Sequence, residues 1–157
     1  HMGYHALDKP VLFFAAGNIH QTYHTLQLRR IGPGVARVLP MTAICLGLAG
    51  AAITGLPPFG LFLSEITVLG GGFAAGHTAA SVVLLGALLA SFCGILYQFT
   101  RILPGMPKGA HPSEARPVDG TLTMALLLGA LLLFSFWLPG PLLEVMRQAA
   151  SIIGGAP

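Results

Sequence analysis

Glu65 is a carboxylate in a stretch of sequence that is otherwise suited to lipid. It is the only formally charged residue between Arg37 and Arg101, and it follows the Pro57-Pro58 pair. An ionisable side chain in hydrocarbon costs free energy, and such residues are retained mainly where protons or ions move. Its chemistry would be reversible protonation, controlled by the charge of a neighbouring cation. The alternative is a structural acid at a helix end, in contact with water or paired with a basic residue.

A second set of titratable residues lies at the start of the chain. His1, His5 and Lys9 are spaced by four residues, so on a helix they form one polar stripe that drifts by about 40° per step. Imidazole titrates near neutral pH, and it accepts a proton on one nitrogen while it donates from the other. The stripe could therefore relay protons, and Lys9 is the candidate cation for Glu65.

The spacing of the histidines is also compatible with a metal site. Two histidines spaced by four can bind a metal, and His20 with His24 repeats that spacing. No carboxylate or cysteine completes either set at a recognised interval, so we predict no metal site. His1-Met2 is also the dipeptide that cloning sites leave before an insert, in which case His1 is not native.

Sequence motifs for bound cofactors are missing from the chain. It has no nucleophile elbow, phosphate-binding loop, dinucleotide fingerprint or iron–sulfur cysteine set. We therefore expect no bound cofactor. Any redox chemistry would reside in partner subunits.

The composition indicates that these residues lie in a membrane. Apolar residues make up 54 % of the 157 residues and charged residues 8 %, whereas soluble domains carry about 25 % charged residues. Mean hydropathy is +0.78. Three windows without formal charges are long enough for the roughly 20 residues of a spanning helix, and a more polar N-terminal stretch is a fourth candidate. These are Val38 to Ser64, His77 to Thr100, Gly120 to Leu143, and His1 to His24.

The fold class follows from the behaviour of the backbone in lipid. Its polar groups must be satisfied internally, and no alternating barrel pattern is visible. We therefore predict an all-α, polytopic transmembrane helical bundle with about four membrane segments. The second window is too long for one span of a core about 30 Å thick, and Pro57-Pro58 divides it into Met41 to Thr54 and Phe59 to Leu69. A broken helix at membrane depth points to an internal pathway.

Proline and glycine set the other predicted boundaries. Pro10 predicts a kink or loosened turn beside Lys9. Gly70-Gly71-Gly72 is expected to end the broken segment, and a third helix is expected over about residues 79–101.

The C-terminal part is expected to contain one more span. Pro104 to Pro117 has the composition of a surface connection. The last span is expected from about Asp119-Gly120 to Trp137, a side chain suited to the membrane interface. Residues 144–153 are expected to form a short interfacial piece.

The basic residues fall in two loops, so a pI of about 9.2 does not indicate nucleic-acid binding. The first loop holds Arg29, Arg30 and Arg37, and the second holds Arg101, Lys108 and Arg116. Two spans separate the loops, which places them on one side, and the positive-inside rule makes that side cytoplasmic. We expect a multi-pass protein of the cell inner (plasma) membrane, surrounded by the lipid bilayer, with its C-terminus outside.

Two stretches of the chain carry a family resemblance. They read HMGYHALDKPVLFFAAG over residues 1–17 and GLPPFGLFLSE over residues 55–65. This order resembles the antiporter-like, proton-translocating membrane subunits of respiratory complex I. It is most similar to the hydrogenase-4 component F type of group 4 membrane-bound hydrogenases, and multisubunit sodium/proton antiporters belong to the same superfamily.

The resemblance implies roles for individual residues. It implies that His1, His5 and Lys9 belong to a hydrophilic axis at mid-membrane, and that Glu65 serves proton exit on the broken helix. It also implies that residues 1–157 are the C-terminal part of one proton-translocating membrane domain, without a soluble domain and without the first half-channel. Asp8 stands where family members usually have an uncharged residue, and it could pair locally with Lys9.

Three functions remain open from the sequence. The first is proton translocation as a subunit of a redox-driven complex of the hydrogenase or NADH/quinone oxidoreductase type, beside other membrane and peripheral subunits. The second is a subunit of a multisubunit sodium/proton antiporter, in which the same residues would exchange protons for sodium. The third is a non-conducting membrane scaffold that anchors soluble partners through loops such as Pro104 to Pro117.

Overall fold

The chain is α-helical throughout the part that the structure describes. The computed structural model describes residues 1–25, 27–31, 33–106, 120–137 and 139–154, and these form helices and turns without a strand. The helices are α1 (Met2–Tyr23), α2 (Leu28–Ile31), α3 (Val35–Val38), α4 (Pro40–Ile53), α5 (Gly60–Ala74), α6 (Thr78–Ile102), α7 (Thr121–Phe136) and α8 (Gly140–Gly154). The predicted all-α class is confirmed.

The first helix, α1, is continuous although Pro10 lies inside it. Its 22 residues are about 33 Å long at 1.5 Å per residue. Proline removes one hydrogen bond and crowds the preceding turn, but α1 packs against both α4 and α7, and this packing offsets the cost. The backbone beside Lys9 stays helical, so the loosened turn expected there is not seen, and the kink expected as its alternative stays a prediction. The helix ends at His24, whose φ of 51° is left-handed.

The link between α4 and α5 contains Pro57-Pro58, and the predicted break of the second span is confirmed. The peptide bond between the two prolines is cis. Thr54 closes α4, because its hydroxyl donates to the carbonyl oxygens of Gly50 at 2.8 Å and Ala51 at 3.1 Å. The same two carbonyl oxygens accept from the backbone N–H groups of Thr54 and Leu56, so the hydroxyl adds to the bonds that close the helix.

The second half of the broken span, α5, is longer than the sequence predicts. Gly70-Gly71-Gly72 was expected to end it, but the helix continues through all three residues. The prediction was wrong because glycine costs a helix only about 1 kcal/mol per residue, and because Gly72 has a packing role. A Cβ atom there would collide with the hydroxyl of Ser81 in α6. Gly76, with a φ of 79°, makes the turn into α6 instead.

The remaining helices occupy the predicted spans. By length and composition, α6 is the helix of the described ranges that can cross a membrane unaided, whereas α4, α5 and α7 are apolar and shorter. Helix α8 covers the predicted C-terminal piece, and its location at the membrane interface stays a prediction. The surface connection expected at Pro104 to Pro117 lies mostly outside the described residues.

The core lies where α1 packs against α4 and α7. Val11, Ala15 and Ile19 recur at helical spacing on the buried face of α1. Ala49 and Ala52 of α4 are fully buried, and such small residues let helices approach closely. The buried side chains of α7 are Met124, Leu128 and Leu131. This packing holds the N-terminal turns of α1 against the start of α5.

The first basic loop and the end of α6 meet at one end of the bundle. The N–H groups of Gly34 and Ala36 donate to the carbonyl oxygens of Ile102 and Leu103, each at 3.1 Å. The sequence did not predict the short helices α2 and α3 in this loop. The placement of both basic loops on one side of the membrane stays a prediction, as does the cytoplasmic assignment of that side.

Candidate functional site

A row of hydrogen-bonded side chains joins the start of α1 to α5. We call His5, His1 and Ser64 the histidine row. Nε2 of His5 lies 3.0 Å from Nε2 of His1, with the two rings edge to face at a centroid distance of 4.6 Å. Nδ1 of His1 lies 2.8 Å from Oγ of Ser64. The structure thus brings two predicted relay residues together with a hydroxyl group that precedes Glu65.

The hydrogen bonds of the histidine row have an assignable direction. The Ser64 hydroxyl donates its proton to the carbonyl oxygen of Leu61 at 2.9 Å, so it accepts from Nδ1–H of His1. Neutral His1 then accepts on Nε2 from Nε2–H of His5, because a neutral imidazole has one donor and one acceptor. These tautomers are assigned from the network. They leave Nδ1 of neutral His5 as an acceptor, and this buried atom has no hydrogen-bond partner among the described residues.

Glu65 lies half-buried on α5, with its carboxyl group folded over the break in the span. A Cβ atom at Gly55 would collide with this carboxyl group. Gly55 also has a φ of 68°, a conformation that costs other L-residues roughly 1–2 kcal/mol. Gly55 therefore gives the carboxyl group its place at the break. Within the described ranges, no hydrogen bond or ion pair to Glu65 is formed.

Lys9 is exposed on α1, one helical turn after His5. It forms no ion pair with the described residues, so its partnership with Glu65 stays a prediction. The local pair of Lys9 with Asp8 is not seen either. Consecutive residues point about 100° apart around a helix, and here Asp8 is turned into the protein.

Asp8 is a buried acid that the sequence analysis did not include among the site residues. None of its surface is exposed, and neither carboxyl oxygen has a hydrogen-bond partner in the described part of the chain. Val11, Ala15 and Asn18 lie on the same buried face of α1. The positions 8, 11, 15 and 18 have the spacing of one helical face, and that pattern could have indicated that Asp8 points inward.

A junction of three helices fixes the start of α5 near the histidine row. The Tyr4 hydroxyl on α1 donates to the carbonyl oxygen of Phe134 on α7 at 3.0 Å. The N–H of Gly60 donates to the Ser135 hydroxyl at 2.7 Å, and a Cβ atom at Gly60 would collide with the Tyr4 ring. This junction could not be predicted from the sequence, since its residues are far apart in the chain and match no motif.

The described residues contain no group of three His, Cys, Asp or Glu side chains that could hold a metal ion. His20 and His24 lie at the end of α1, where His24 leaves the helical conformation. The expectation that the chain binds no cofactor stays a prediction.

The sequence matches the family model described as "NADH:quinone oxidoreductase/Mrp antiporter, TM" over residues 1–92. This range contains α1, the broken span and every residue of the predicted site. The matched segment is more than half of the chain.

Similar proteins include subunits of large membrane complexes. The hydrogenase-4 component F homolog of Methylacidiphilum infernorum is 32 % identical over 109 residues, which are 69 % of this chain and 22 % of that protein. NADH-quinone oxidoreductase subunit L of Campylobacter jejuni is 32 % identical over 123 residues, which are 75 % of this chain and 20 % of that protein. The chain therefore spans about a fifth of the length of these curated relatives.

A solved structure shares the fold. It is the structure of the Mrp complex from Dietzia sp., which matches with a TM-score of 0.69 and 18 % identity. The match covers 85 % of this chain and 33 % of the other. At this identity the likeness concerns the fold alone.

Proposed function

The chain belongs to the transmembrane family of NADH:quinone oxidoreductase and Mrp antiporter subunits, and from that premise we propose that it is part of a membrane subunit that translocates protons. We assign the subunit to a redox-driven complex of the hydrogenase or NADH:quinone oxidoreductase type. Its partners are the other membrane and peripheral subunits, which carry the redox chemistry. We place its basic loops in the cytoplasm and its C-terminus outside.

The observation that carries this proposal is the histidine row. It links α1 to α5 through two imidazoles and a hydroxyl with both contacts within 3.0 Å, and it ends at Ser64, the residue before Glu65 in the sequence. A proton can move along hydrogen-bonded groups that both donate and accept, and the helices need not move. The row therefore provides the groups for a proton path between the two helices.

The tautomers of the row define how a proton would pass. A proton that arrives at Nδ1 of His5 converts that ring to imidazolium. The ring then releases its Nε2 proton to Nε2 of His1, which becomes imidazolium. His1 releases its Nδ1 proton to the Ser64 oxygen while the Ser64 hydroxyl turns from the Leu61 carbonyl oxygen and passes its own proton to the Glu65 carboxylate. Rotation of both rings restores the starting tautomers, and no other reactant is consumed.

Glu65 receives the proton in this proposal, and Lys9 controls its release. A carboxylate inside a membrane is stabilised by a proton or by a nearby cation. Glu65 has its place at the broken span, where an internal pathway is tolerated. Charge changes at Lys9 would then favour either uptake or release of the proton.

Glu65→Gln tests the proposal directly. The change keeps the shape of the side chain and removes the exchangeable proton. In the intact complex reconstituted in vesicles, we expect the variant to lose proton uptake per redox turnover. Glu144→Gln is the matched control, because Glu144 is an exposed acid on α8. Unchanged proton uptake in Glu65→Gln would refute the role of Glu65 and favour the scaffold alternative.

Sodium/proton exchange is the second candidate function, and the matched family model, whose description includes the Mrp antiporter, favours it. In this case the same residues would exchange protons for sodium without electron transfer. Vesicles that hold the complete complex and no redox substrate separate the two candidates. Proton movement driven by a sodium gradient alone supports the antiporter, whereas proton movement that requires redox turnover supports the first proposal.

A further inference from the structure

Asp8 is a buried residue, and the proposed relay gives no reason for its burial. The side chain is fully buried on the face of α1 that packs against α4 and α7. Leaving an ionised carboxylate without a partner in such a place costs several kcal/mol. The protein retains an acid where an apolar side chain would pack at lower cost.

The neighbouring helices offer Asp8 few titratable groups. Helix α7 contains none, α4 contains only Cys45, and α5 contains only Glu65. On α1 itself, the groups within one turn are Tyr4, His5 and Lys9. Lys9 is exposed, and the Tyr4 hydroxyl already donates to Phe134. On α1, His5 is therefore the group left to exchange a proton with Asp8.

His5 and Asp8 complement each other. They are three residues apart on a continuous helix, a spacing that brings Cβ atoms within about 5–6 Å. Nδ1 of His5 is buried and is an acceptor in the neutral tautomer, and both carboxyl oxygens of Asp8 are buried without partners in the described ranges. A hydrogen bond between the two side chains is not formed in this structure and requires them to rotate.

We propose that Asp8 is a further proton-carrying residue, which exchanges a proton with Nδ1 of His5 and so extends the histidine row into the packed interior of the bundle. This inference rests on the proposed function. The protonated carboxyl group donates its proton to Nδ1, which leaves a carboxylate next to an imidazolium. The imidazolium then releases its Nε2 proton to His1, and the carboxylate takes up the next proton that enters.

Two variants of the intact complex in vesicles test the inference. Asp8→Asn has nearly the same shape but cannot carry a proton, and we expect it to lower proton uptake per turnover by roughly 10²-fold, the scale of a lost proton-transfer group. Asp8→Glu keeps the carboxyl group, and we expect it to retain most of the uptake. Equal losses in both variants would show a packing role and would overturn the proposal, as would wild-type uptake in Asp8→Asn.

A chemical readout separates proton carriage from stability. Dicyclohexylcarbodiimide reacts with protonated carboxyl groups in apolar surroundings, and mass spectrometry locates the adduct. We expect Asp8 to be labelled in the resting complex and less labelled during turnover. Constant labelling, or none, would overturn the proposal.

Parallel measurement of Glu65→Gln keeps this inference distinct from the proposed function. Full uptake in Glu65→Gln would refute the proposed function whatever Asp8 does. Loss of uptake in Glu65→Gln together with full uptake in Asp8→Asn would refute the role of Asp8 alone.

Discussion

Gly55 gives the sharpest test of the geometry at the broken span, and Gly55→Ala is the variant. The change has two effects. An L-residue at a φ of 68° loses roughly 1–2 kcal/mol of stability. The new methyl group also collides with the Glu65 carboxyl group, which must withdraw by about 1 Å or more to reach van der Waals distance.

The backbone cost is expected to appear in stability assays, and the displacement of the Glu65 carboxyl group is expected to appear in proton-transfer assays. The carboxyl group is the free end of a flexible side chain, so its withdrawal adds little to the loss of stability. In proton transfer, however, a misplacement of about 1 Å can cost roughly 10²-fold in rate. We therefore expect Gly55→Ala to lose on the order of 10²-fold in proton uptake with a stability loss of about 1–2 kcal/mol.

Gly76→Ala is the matched control. Gly76 has a similar φ of 79°, and a Cβ atom there would meet no atom within 4 Å. Thermal melting of the purified complex should show similar losses of stability for both variants, while proton uptake in vesicles should fall only for Gly55→Ala. Equal uptake in the two variants would refute the argument that Gly55 positions Glu65.

Two further predictions concern hydrogen bonds. Ser64→Ala removes the acceptor of the His1 Nδ1 proton, and we expect proton uptake to fall by about tenfold, equivalent to ~1.4 kcal/mol. Ser151→Ala is the control, because it removes an exposed hydroxyl that donates to Gln148 within α8. This control should keep full uptake. Thr42→Val removes the hydroxyl that accepts from the buried Asn18 amide at 3.3 Å. We expect thermal melting to show a stability loss of about 1–3 kcal/mol. The control Thr67→Val, at an exposed position, should show no loss. A melting temperature unchanged in Thr42→Val would show that the buried amide finds another partner.

The architecture could be predicted from the sequence where one strong local signal decides it. Pro57-Pro58 cannot continue a helix, and the break lies there. The glycine triplet at residues 70–72 is a weaker signal, which packing overrides, and Pro10 does not interrupt the helix. Gly72 gains a close contact with Ser81, and α1 is held by two neighbouring helices.

The site could be predicted only in part, for a physical reason. Helical periodicity places His1 and His5 on one stripe because that contact is local. The partner on α5, Ser64, depends on which helices pack together, and that information is not present in a local pattern. Asp8 was missed because its charge suggested a pair with Lys9. In the structure Asp8 is buried and Lys9 is exposed, so the two side chains point apart.

Helix α6 is held mainly near its two ends. Ser81 fits against Gly72 near its start, and Gly34 bonds the carbonyl oxygen of Ile102 at its end. Most side chains between these positions are exposed on the surface of the bundle. Substitution among apolar residues in the middle of α6 therefore costs little packing against the other described helices. Changes at either end carry a packing or hydrogen-bonding cost, so within the described bundle the two ends of α6 fix its position.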